Sequence, residues 1–181
     1  MTIRIVTDSA SDLPKKIIRK HNIKIVPLTV NFKEESFLDK FEITTDEFFN
    51  KLEKSEELPT TSQVSPGEFV SAFNEVLGEG DEILGIFLAH ELSGTVKSAQ
   101  MAKEIIGSDK IHIVDSRSVS LGEAILVLKA IELINEGTEI NNIVKILKET
   151  TKKVKSAAVV DTLKYLEKGG RLSKKQAVIG S

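Results

Sequence analysis

The residues of this chain best suited to chemistry are hydroxyls in two short loops, Leu58-Pro59-Thr60-Thr61-Ser62-Gln63-Val64-Ser65-Pro66 and Ala89-His90-Glu91-Leu92-Ser93-Gly94-Thr95. Each loop is expected to deliver the chain into a helix. Thr61, Ser62 and Ser93 would then meet the unpaired amides of helix N-termini, a seat for a carboxylate or phosphate that needs no metal and no fixed positive charge. Taken alone, Ser93 is most simply a helix cap, and Thr61 and Ser62 are turn residues satisfying local backbone groups. Ser65 reads as structural.

Other groups invite comparison with catalytic sites. Ser93 as the nucleophile of an esterase or acyl-transfer enzyme is the enzyme reading, but Glu91-Leu92-Ser93-Gly94 is not the Gly-x-Ser-x-Gly elbow. No acid partner is identifiable for His90, and His21 and His112 have weaker claims. Asp8-Ser9-Ala10-Ser11-Asp12 lacks a second acid two residues after Asp8, so it reads as turn and cap rather than as a phosphoaspartate or metal site. Asp115 ends an apolar run and holds either a loop or a ligand, with Arg117 its natural partner. Lys164, Lys168, Arg171, Lys174 and Lys175 form a solvated face or a docking surface. Within that cluster Arg171, on a tight turn after Gly169-Gly170, is the residue chosen for contact with an acidic partner.

Composition removes several classes of function. The chain has 181 residues, 40% of them hydrophobic, enough for a packed core. With no cysteine, thiolate catalysis, disulfides and cysteine-ligated metals are excluded, and a cytoplasmic location is expected. Lys+Arg 25 against Asp+Glu 27 gives a net charge of -2, no bulk attraction for nucleic acid or anionic lipid. Tryptophan is absent and aromatics are 5%, so a base-stacking platform is not expected. No window approaches the roughly 20 apolar residues of a membrane span.

These residues must be positioned by alternating strands and helices. Apolar runs at 3–6, 82–89, 111–114 and 157–160 read as strands and 23–32 as an extended segment with Pro27 at an edge or bulge, while 33–41 reads as loop. Helices are expected over 13–20 after Asp12, from Thr44 to about Lys54, from Ser65 to Gly78, from Ser93 to about Ile106, and over 121–135, 140–152 and 163–168. Thr44 with Glu47 and Ser65 with Glu68 are capping boxes. The alternation predicts an α/β fold, a mainly parallel sheet flanked by helices, with Asp8, Ser93 and Asp115 at the carboxyl ends of strands where such sheets bind ligands. The apolar stretch at 176–181 has no closing signal, so the chain is expected to be a fragment.

In order along the chain, Val6-Thr7-Asp8-Ser9, Thr60-Thr61-Ser62-Gln63, Leu92-Ser93-Gly94-Thr95, Asp115-Ser116 and the run from Asp161 through Leu163, Tyr165, Leu166 and Gly169-Gly170 to Arg171 resemble the DegV family. The resemblance covers the whole chain. It implies a bacterial fatty-acid-binding protein with an α/β head-group domain over 1–152 and the truncated beginning of a second, α+β domain over 153–181. It further implies a carrier without activity of its own, which presents a bound long-chain fatty acid to a separate fatty acid kinase that converts the carboxylate to acyl phosphate. By this resemblance Thr61, Ser62 and Ser93 hold the carboxylate, the fatty acid is a ligand, and no cofactor is required. The family's site histidine falls beyond Ser181, at a position that none of His21, His90 and His112 occupies. A carrier of another acidic amphiphile, or the Ser93 enzyme, is the alternative.

Overall fold

The computed structural model describes residues 2–78, 82–157, 159 and 162–172. The order is β1 (Ile3–Asp8), a 3-10 turn (Ser9–Ser11), α1 (Lys15–Lys20), β2 (Lys24–Val26), β3 (Thr29–Asn31), β4 (Ser36–Leu38), α2 (Thr45–Lys54), β5 (Thr60–Ser62) and α3 (Pro66–Gly78). Then come β6 (Glu82–Phe87), α4 (Thr95–Ile106), β7 (Ile111–Asp115), α5 (Leu121–Asn135), α6 (Ile140–Thr151) and α7 (Lys164–Lys168).

Four strands form the expected parallel sheet, in the order β2-β1-β6-β7. Its central strands are apolar on both faces because helices cover both. In β6 the pleat sends Leu84 and Ile86 toward Leu126, Val127, Ile143 and Leu147 of α5 and α6, while Ile83 and Phe87 join Phe69, Phe73 and Ala99 of α3 and α4. The chain runs outward from β1 to β2 and then returns to the other side of β1 as β6. Such a reversal of strand order opens a crevice at the carboxyl ends of the two strands.

The segment between β2 and α3 departs from expectation. The extended stretch over 23–32 is two strands: β2 belongs to the parallel sheet, and β3 to a second, antiparallel sheet of order β4-β3-β5. Pro27, which lacks an amide to donate, stands at the changeover. The expected loop over 33–41 contains β4, paired with β3 through Val30 and Phe37. Thr61 and Ser62 lie in β5, paired with Val30 and Thr29, and not at a helix start; the helix opens later, at Pro66.

Both capping boxes form as expected. Thr44 and Glu47 exchange side-chain and backbone bonds at the start of α2, and Ser65 and Glu68 do so at α3. Asp12 does not cap α1; it closes the 3-10 turn in the left-handed region at φ 51, and α1 begins after Pro14. The expected strand over 157–160 falls partly outside the described residues, Ala157 and Val159 are not in a strand, and Lys174 and Lys175 also lie outside. Among the described residues no helix is long and apolar enough to cross a membrane.

Candidate functional site

A cavity of about 650 Å³ lies at the carboxyl end of the parallel sheet, between it and the antiparallel sheet. Ala10 after β1, Leu88 and Leu92 after β6, and Val119 after β7 form its base, and Leu28, Val30, Ile43 and Phe48 line its walls. Thr44, Thr45, Thr61, Gln63 and Ser93 bring polar groups into this mainly apolar space, and Asp39 and Arg171 stand on the lining as well.

Ser93 is placed by the tight turn that follows β6, in which the Leu92 and Ser93 amides both donate to Ala89 O, at 3.0 and 3.1 Å. The turn carries Ser93 past the strand end to the start of α4, where its Oγ accepts from the Thr95 amide at 3.3 Å and shares a 2.9 Å hydrogen bond with Thr95 Oγ1. When Thr95 donates, the Ser93 proton is left for an oxygen in the cavity. Thr61 reaches the same cavity from β5. Strand alternation turns Ser62 away, and its Oγ accepts from Asn31 Nδ2 at 2.9 Å. The cavity therefore unites Thr61 with Ser93 and leaves Ser62 out of its lining. Arg171, expected on a docking surface, lines the cavity and donates from Nη1 to Gly169 O at 2.6 Å, so a fixed positive charge is present where none was expected.

Beneath the cavity two acids are buried. Asp8 caps the 3-10 turn as expected, accepting from the Ala10 amide at 2.9 Å, and its other oxygen accepts from the Leu88 amide at 2.9 Å. One carboxyl thus anchors two cavity residues that follow neighbouring strands. Glu123 on α5 is fully buried; Thr7 Oγ1 donates to its Oε1 at 2.9 Å, and Oε2 has no partner among the described residues. Burial, reinforced by the nearby Asp8 charge, pushes the Glu123 carboxyl up to about 10. Burial also raises Asp8, to about 6, against the pull of its two amides. The sequence signal for Glu123 is a single acid inside the apolar run from Leu121 to Leu128.

His90 does have an acid partner, contrary to expectation: its Nδ1 lies 2.6 Å from Asp115 Oδ2. The pair joins the loop after β6 to the last residue of β7, too far apart in sequence to be read from spacing. Arg117 meets Asp115 only through its amide, at 2.9 Å, while its guanidinium faces Glu91 at 3.7 Å. His90, Glu91 and Asp115 offer ligand atoms within 4.8 Å of one another, the one such group among the described residues. Asp115 Oδ1 already accepts from the Arg117 amide and, at 3.3 Å, from the His90 amide, so the network knits two loops together without an ion. The described hydrogen bonds of Ser93 Oγ go to Thr95 and not to His90.

Residues 2–181 match the family profile described as uncharacterised protein, DegV family. A DegV domain-containing protein of Caldanaerobacter subterraneus subsp. tengcongensis is 40% identical over 178 residues, 98% of this chain and 63% of that protein. A DegV family protein from Thermus thermophilus, described by its fatty acid binding, superposes with a TM-score of 0.88 at 36% identity, over 100% of this chain and 64% of that one. A DegV family protein from Eubacterium eligens loaded with heptadecanoic acid superposes with a TM-score of 0.82 at 26% identity, over 98% and 63%. The chain spans less than two thirds of the length of each.

Proposed function

The chain belongs to the DegV family, and from its cavity we propose that it binds a long-chain fatty acid with the carboxylate at Thr61 and Ser93. The observation that carries this reading is a mainly apolar cavity at the strand-order reversal whose lining includes the Thr61 and Ser93 hydroxyls from separate elements. An acyl chain gains from leaving water, and its carboxylate must replace lost hydration with several hydrogen bonds. The Ser93 and Thr61 hydroxyls and the first amides of α4 are donors suited to that exchange. Arg171 supplies a cation on the same lining, suited to an acidic head group. Ser62 braces β5 through Asn31 and supports the site from behind.

In this reading the bound acid is presented to a separate fatty acid kinase, which phosphorylates the carboxylate to acyl phosphate while the chain itself does no chemistry. Denaturing extraction of the purified protein followed by mass spectrometry tests the ligand. Free fatty acids are expected, and recovery of phosphorylated lipids alone rejects the assignment in favour of another acidic amphiphile. Trapping acyl phosphate with hydroxylamine, in the presence of ATP and the kinase, tests presentation.

The His90–Asp115 pair favours one other reading, a Ser93 esterase with a histidine–acid relay. Against it, Ser93 Oγ is engaged with Thr95. Stoichiometric labelling of Ser93 by a fluorophosphonate, together with turnover of activated esters, would replace the carrier reading with the enzyme.

A further inference from the structure

β5 is an outer strand of its sheet, held by backbone pairing to β3 alone, so its position relative to the Ser93 turn has to be set by side chains. Among the described residues, one side-chain hydrogen bond from 60–63 crosses to α4: Gln63 Nε2 donates to the buried Ser98 Oγ at 2.9 Å. The Ser98 amide in turn donates to Gly94 O at 3.0 Å, closing the first turn of α4 beside Ser93.

The same carboxamide occupies the space over Gly94. A Cβ added there would stand 1.9 Å from Gln63 Oε1 and 2.7 Å from Cδ. Gly94 has φ -73 and ψ 4, a conformation open to any residue, so the backbone does not demand glycine at this position. The room taken by Gln63 does.

We propose that Gln63 is a positioning residue: wedged between β5 and the start of α4, with Gly94 as its socket, it fixes the separation of Thr61 and Ser93. The proposal rests on the cavity being the carboxylate site. Two hydroxyls on different elements hold one carboxylate well only when their spacing is set before the ligand arrives, because otherwise binding must also order the strand. Gln63 is the polar group that spans that gap, beside Val64, which is buried with Val96 of α4. Gly94→Ala, by evicting the carboxamide, should copy the loss of Gln63.

The test compares the 181-residue chain with Gln63→Ala, Gly94→Ala and the double variant. In ligand-free protein, amide hydrogen exchange at 60–62 and 95–97 should quicken in all three variants while β1 and β6 keep the parent rates. With a fluorescent long-chain fatty acid as probe, each single variant should bind about tenfold more weakly, and the double variant no more weakly than Gln63→Ala, because wedge and socket act as one unit. Penalties that multiply independently, affinity loss in step with global urea instability, or unchanged exchange in Gln63→Ala would overturn the proposal. If the parent binds no fatty acid, the head-group reading fails and the exchange measurement alone decides the role of Gln63.

Discussion

Ser93 and Glu123 show how differently two polar side chains a few ångströms from apolar walls are used. Ser93 keeps one partner, Thr95, and a proton to offer, so Ser93→Ala should weaken fatty-acid binding by roughly 1.5–3 kcal/mol while leaving the unfolding midpoint near that of the parent. Isothermal titration of parent and variant measures it, and equal affinity would remove Ser93 from the site. Glu123 has the opposite character: its carboxyl is pushed up to about 10, so the folded chain retains a proton that the unfolded chain sheds near the ordinary carboxylate value of 4.5. Between those limits the fold binds more protons than the unfolded chain. Its contribution is therefore fully present at acidic pH and declines as pH rises, by up to about 1.4 kcal/mol per pH unit for each proton held in excess. Glu123→Gln keeps an acceptor for Thr7 and cannot ionise, so its stability curve should be flatter and should overtake that of the parent at alkaline pH. Urea unfolding across the pH range checks this; a variant curve as steep as the parent's would assign the slope to other groups.

At the scale of elements, the helix starts are the most secure and the easiest to test. Thr44 both accepts from the Glu47 amide and donates its own amide to Glu47 Oε2, at 3.3 and 2.8 Å, so Thr44→Ala should cost about 1 kcal/mol in urea unfolding. A null effect would mean that side-chain packing, such as that of Phe48 on Phe32, holds α2 in place without its cap. These boxes are readable because every partner lies within three residues, and β6 is readable because burial on both faces leaves a nearly unbroken apolar run. The antiparallel sheet is not. Its strands are three residues each, too short to show alternation, and β5 is Thr-Thr-Ser, which resembles turn chemistry until pairing with β3 is seen. The site divided in the same way. Ser93 and Thr61 are candidates from residue type and family resemblance, and both line the cavity, whereas the separation of Ser62 from Thr61 follows from the pleat. Asp8 with Leu88 and His90 with Asp115 are contacts between neighbouring strand ends that no local spacing encodes.

Over the whole molecule, the cavity lies between two sheets of unequal security. The parallel sheet is buried between two helical layers, but the antiparallel sheet is tied to it by the buried Val64 after β5 and a few polar bonds: Ser9 Oγ accepts from the Leu28 amide at 3.1 Å, Lys40 Nζ donates to Ser9 O at 2.7 Å and pairs with Asp12, and Gln63 meets Ser98. Elements with few buried apolar contacts open without global unfolding, so β3, β4, β5 and α2 should exchange their amides faster than β1 and β6 in ligand-free protein. An acyl chain seated between the sheets would touch Val30, Ile43 and Phe48 on one side and Leu88 and Leu92 on the other. Every opening of the antiparallel sheet would then have to release it. Ligand at 100 times its dissociation constant should therefore raise the opening free energy of β3, β4, β5 and α2 by about 2.7 kcal/mol, the same increment that global unfolding receives. Hydrogen exchange with mass spectrometry separates this from binding elsewhere. A ligand on an outer surface of the parallel sheet would protect β1 and β6 through global stability and leave the sub-global opening of the antiparallel sheet at its ligand-free rate, because that opening would no longer cost the bound molecule.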